Sequence, residues 1–68
     1  MLDDKSLTVF AYLKNHFATS DKIVERVDIL STGLSIEDIS QSIKILENNG
    51  YINVNHDYVS EPIESINN

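Results

Sequence analysis

The stretch Leu34–Ile52, L-S-I-E-D-I-S-Q-S-I-K-I-L-E-N-N-G-Y-I, holds in order a helix start, an apolar face, a helix stop and a strand. Ser35 is a competent N-cap, and Asp38 three residues later makes a variant of the capping box, in which glutamate or glutamine is usual. Ile36, Ile39, Ile43 and Leu46 recur at intervals of three and four, which places them on one helical face, and Ile45 broadens it. The opposite side carries Glu37, Ser40, Gln41, Lys44 and Glu47, a solvated stripe by default. Asn48, Asn49 and Gly50 end the helix. Asn49-Gly50 is also a strong hairpin turn that would pair residues 43–47 with 51–55. The isoleucines at 36, 39 and 43 do not alternate, so the spacing favours a helix up to that point.

Working upstream, Gly33 suits the left-handed closing position of a preceding helix, with Leu34 supplying the accompanying apolar contact. Thr19, Ser20 and Asp21 are competent caps, and Ile23, Val24, Val27 and Leu30 behind them follow helical spacing, so a second helix is expected there. A first helix is expected from about Asp3 to Phe17, with Leu7, Phe10, Leu13 and Phe17 inward and Asp3 and Asp4 at the positive end of its dipole. Val9, Ala11 and Tyr12 widen its apolar surface, as in a central helix packed on by others. His16, near its C-terminus, reads as a half-packed surface histidine rather than a ligand or base.

Downstream, Tyr51, Ile52 and Val54 followed by Tyr58 and Val59 flank Asn55, His56 and Asp57, which suits a short hairpin lying on a helix. Pro62 would end its second strand. Residues 1–60 are then one domain, mostly α with a small C-terminal β-hairpin, and 61–68 a short frayed tail containing Ile63 and Ile66.

The chain has 68 residues, a length at which only about 60% of the unfolded surface is buried, so self-association into a homodimer is an alternative to consider. It has no cysteine and two well-separated histidines, which supply no disulfide framework and no evident metal site, and no cofactor motif is present. Asp3 and Asp4 stand where a secretory signal would be positive, and the apolar run Leu7–Leu13 is far shorter than a membrane span, so no membrane role and a cytoplasmic location are expected. The net charge of −6, eleven Asp plus Glu against five Lys plus Arg, leaves few groups to displace counterions from phosphates. Acidity of this kind serves solubility or a partner.

Three helices, the last two joined by a glycine-containing turn, then a hairpin, follow the order of a winged helix-turn-helix. Leu34, Ser35, Ile39, Ile43, Lys44, Ile45, Leu46, Glu47, Gly50 and Ile52 stand where the small winged-helix transcription regulators carry their recognition helix and first wing strand, and the run resembles that family. The resemblance implies a third helix that enters the major groove through Ile36, Glu37, Asp38, Ser40, Gln41 and Lys44, and a wing that touches flanking backbone. Gln41 suits adenine, and Lys44 a phosphate or guanine. Glu37 and Asp38 would face a polyanion, and the wing tip offers Asn55, His56 and Asp57 without a cation. From Ser35 to Ser60 there is one Lys and no Arg, against four carboxylates, so nucleic-acid binding is disfavoured.

No enzyme constellation stands out. Asp3-Asp4 and Glu37-Asp38 are neighbours that diverge on a helix, the serines lack a matching His and Asp, and His56-Asp57 reads as a polar turn. Ile36 either caps the core beside Leu34 or is exposed for a contact. The expected function is therefore that of a non-enzymatic regulatory protein whose third helix and wing meet a protein partner with a basic surface. The alternative is a transcription regulator that binds DNA as a dimer through Gln41, Lys44 and the cations Lys5, Lys14, Lys22 and Arg26.

Overall fold

The computed structural model describes residues 2–67 and has the expected layout of a winged helix-turn-helix, three helices and a C-terminal antiparallel hairpin. Helix α1 spans Asp4–Phe17, a 3-10 helix spans Arg26–Thr32, and α2 spans Ile36–Asn48. Strands β1 (Ile52–Val54) and β2 (Ile63–Ile66) pair antiparallel, with Ile52 opposite Ile66, Asn53 opposite Ser65, and an irregularity before Val54 opposite Ile63. Val9 and Leu13 of α1, Val24, Ile29 of the 3-10 helix, Ile39, Ile43 and Leu46 of α2, and Ile52 and Ile63 of the strands form one buried core.

Helix α2 forms as its sequence indicates. Ser35 Oγ accepts the Asp38 amide at 3.2 Å. Its other end closes in a Schellman arrangement, where the Tyr51 amide donates to the Leu46 carbonyl at 2.9 Å and the Gly50 amide to Glu47 at 3.0 Å, with Gly50 at φ +79°. Asn49-Gly50 is thus a helix stop and not a hairpin turn. Because Ser35 satisfies an otherwise orphaned amide, Ser35→Ala is expected to cost about 1 kcal/mol in urea unfolding, and Ser35→Asp close to nothing. Ile36 does not cap the core. It is 45% exposed.

Helix α1 is rotated from the expected face. Ser6, Val9 and Leu13 are buried, Phe10, Tyr12 and Phe17 pack at the core edge, and Leu7 is half exposed. Phe10 meets Tyr51 with ring centroids 5.2 Å apart, and Lys14 Nζ lies 5.1 Å from the Phe10 centroid, which joins α1 to the start of the hairpin.

The second helix begins later than its capping residues suggest and is 3-10 rather than α. Residue 24 lies in extended chain, since Val24 and Ile63 exchange amide–carbonyl bonds of 2.9 Å in each direction. The Lys22 amide donates to Ser20 Oγ at 3.1 Å, and His16 Nε2 donates to the Lys22 carbonyl at 2.8 Å. This pairing draws the β-branched Ile23 and Val24 out of a helix. Glu25 becomes the cap, its amide donating to Asp28 Oδ2 at 3.0 Å, and of the expected apolar face only Val24 is buried. Ile23, Val27 and Leu30 are exposed, while Ile29 enters the core. Gly33 closes the helix in the left-handed conformation at φ +90°, as expected.

The hairpin is the largest correction. Tyr58 and Val59 are not its second strand; they lie in the loop 55–62, Tyr58 60% and Val59 fully exposed. The segment read as a frayed tail carries β2, and Pro62 opens that strand instead of ending one. Pro62 has no amide to donate, and its carbonyl accepts the Asn55 amide at 2.9 Å to close the loop. Ile63 is then held on both edges, by Val24 and by β1.

Candidate functional site

The outward side of α2 does not act as one surface. At 100° per residue, Glu37, Gln41 and Lys44 form a stripe facing solvent, Ser40 and Glu47 turn toward the hairpin loop, and Asp38 turns toward α1. Asp38 lies 3.1 Å from Lys5 Nζ. Its hydrogen bonds from Lys5 and the Ser35 cap hold its carboxyl below the ordinary value of 3.8. Asp3, which accepts the Ser6 amide at 2.8 Å as the cap of α1, is likewise lowered, mainly by that bond. Both carboxylates stabilise the fold above their ordinary values, and the benefit is lost as pH falls through the lowered ones. Asp38 therefore serves the junction of α1 with α2, while Glu37 remains free of ion pairs among the described residues.

On the other side a groove of about 580 Å³ runs between the 3-10 helix, α2 and the hairpin loop. Arg26 enters from the 3-10 helix, Ser40, Gln41, Lys44 and Glu47 from α2, and His56 and Glu61 from the loop. Its charges are largely matched. Arg26 is 3.5 Å from Glu61 Oε1, His56 Nε2 is 2.5 Å from Glu47 Oε2, and His56 Nδ1 is 2.6 Å from Glu61 Oε2. The His56 bond is the main cause holding the Glu61 carboxyl below its ordinary 4.5, with Arg26 and Lys44 adding to it. Glu47 and Glu61 occupy opposite ring nitrogens, so the three do not converge on one point as metal ligands would.

The structure brings together Ser40, Gln41, Lys44 and His56, and places Glu37 outside the groove and Asp38 on the far side of α2. Asn55 braces the loop. Its Oδ1 accepts the Asp57 amide at 2.9 Å and its Nδ2 donates to Glu64 at 3.1 Å. Tyr58 and Val59 are the exposed large apolar residues of this loop. Glu61 adopts φ +46°, a conformation that costs a non-glycine residue about 1 kcal/mol, and its amide donates to the Tyr58 carbonyl at 3.0 Å. An exposed aromatic and an exposed β-branched residue are thus carried on an ordered loop.

Of the groove's charged residues, Glu61 carries no signal in the sequence and Arg26 enters there only among the cations of the DNA-binding alternative. Glu47 was visible only as part of a solvated stripe, and the approach of Arg26 and Glu61 depends on the loop folding back. No helix among the described residues is long and apolar enough to cross a membrane. Comparison with protein-family models, with curated proteins and with solved structures finds no match.

Proposed function

We propose that this chain is a small, non-enzymatic regulatory module of winged-helix type, working in the cytoplasm through protein contacts of α2 and the hairpin loop with a partner whose surface is basic. The observation that carries this reading is the poverty of free cations: of five, Lys5 is paired with Asp38 and Arg26 with Glu61, while Glu37 stands exposed at a position where a DNA reader would meet phosphates. The hairpin loop supports it too, because Tyr58 and Val59 offer apolar contact area and Asp57 negative charge. The absence of cysteine is in keeping with the cytoplasm.

The second reading, a DNA-binding dimer, draws on one arrangement: Arg26, Gln41 and Lys44 line the same groove. Titration against mixed-sequence duplex at about 50 mM salt separates the two. The expected result is no binding at high micromolar protein. Binding that weakens steeply with added salt would put the DNA-binding reading first. For charge reversal Glu37→Lys is the clean variant, since Asp38→Lys would also break the pair with Lys5.

A further inference from the structure

Among the described residues, His56 joins the hairpin loop to α2 and to the left-handed turn at Glu61 through one ring. A neutral imidazole has one N–H and one bare lone pair, so it satisfies one carboxylate and sets its lone pair against the other. Only the imidazolium donates to Glu47 and Glu61 together. We propose that His56 is a proton-operated clasp: protonated, it ties Glu47 of α2 and Glu61 of the loop together, and neutral, it donates to only one of them, which loosens the loop 55–62 on α2 and changes how Tyr58 and Val59 are presented. This regulates the contact surface of the proposed function and so rests on that reading for its biological meaning, but not for its chemistry.

The charged groups facing the ring set the direction. Glu47 comes from α2 and Glu61 from the loop; Arg26 of the 3-10 helix and Lys44 of α2 act on Glu61, and Asp57 follows His56 in the chain. Arg26 shares the Glu61 carboxylate with His56. The hydrogen bonds from Glu47 first and Glu61 second raise the ring's pKa above the ordinary 6.5, opposed by desolvation. A group raised in the folded state gives its full stabilisation below its unfolded value and loses it as pH rises through the folded one. The clasp is therefore closed in mild acid and opens on the alkaline side of 6.5.

The loop opposes this release with bonds of its own. The Asn55 amide to the Pro62 carbonyl and the Glu61 amide to the Tyr58 carbonyl need no proton on His56. What opens is the docking of the loop on α2, which runs through His56 and Glu47 and is reported by the resonances of the His56 ring and of the loop amides around it.

The test is an NMR titration of the full chain from about pH 5.5 to 9, following the His56 ring and the amides of residues 55–61. The expected result is one shared midpoint for ring and loop amides, lowered in Glu47→Gln and in Glu61→Gln. Loop amides in His56→Gln should lose their response to pH over the same range. A ring that titrates while the loop amides stay still would overturn the proposal, as would a midpoint unmoved by both glutamine variants. Because no partner is present, either outcome is independent of whether the protein-contact reading holds.

Discussion

Ile63→Ala is expected to lower the unfolding free energy by about 2–5 kcal/mol, whereas Val59→Ala should change it by less than about 0.5 kcal/mol. Ile63 is fully buried, and its backbone bonds Val24 on one edge while its strand pairs β1 on the other. Truncation leaves a cavity where the 3-10 segment, the hairpin and the helices meet, and the surrounding backbone is fixed by hydrogen bonds and relaxes little. Against a total stability of about 5–15 kcal/mol for ordinary domains, lower in so short a chain, this loss would make the unfolded state appreciably populated. Urea unfolding followed by circular dichroism measures both variants. Equal losses at the two positions, or a larger one at Val59, would place the second strand at Tyr58-Val59 and reduce residues 61–68 to a tail.

Leu13→Ala should cost a similar 2–5 kcal/mol, while Leu7→Ala stays small. Both leucines belong to the same helical spacing, yet Leu13 is fully buried and Leu7 half exposed. The difference follows from the face that α1 presents to α2, anchored by the ion pair Lys5–Asp38 at one end and by the packing of Phe10 on Tyr51 at the other. Thermal unfolding of the two variants decides the rotation of α1. A larger loss for Leu7 than for Leu13 would mean that the helix turns its other side inward.

Several elements were legible in the residues because local chemistry dictates them. Ser35 and Gly50 mark both ends of α2 by satisfying backbone groups within a few residues, and Ile39, Ile43 and Leu46 select its buried face by spacing alone. The candidate site was legible in part. Ser40, Gln41 and Lys44 were identified from their helical position, and the poverty of cations from composition. The place of Asp38 is not legible, because its neighbour Lys5 is remote in sequence and spacing along α2 does not reveal which helix lies beside it. Tyr58 and Val59 have strong strand preference, but such preference measures fit to a half-buried pleated surface, and no such surface meets them here.

The sequence by itself determined where α2 starts and stops, that a hairpin follows it, and that the chain carries a marked negative charge, since caps, periodicity and composition act over a few residues or need no geometry at all. Tertiary structure alone decided which residues make the second strand, why Val24 leaves the helix, and how His56 comes to stand between Glu47 and Glu61. Each of these depends on pairing between groups separated along the chain. Ile63 can satisfy Val24 and β1 together only when the hairpin lies back on the helices, and no local preference encodes that approach.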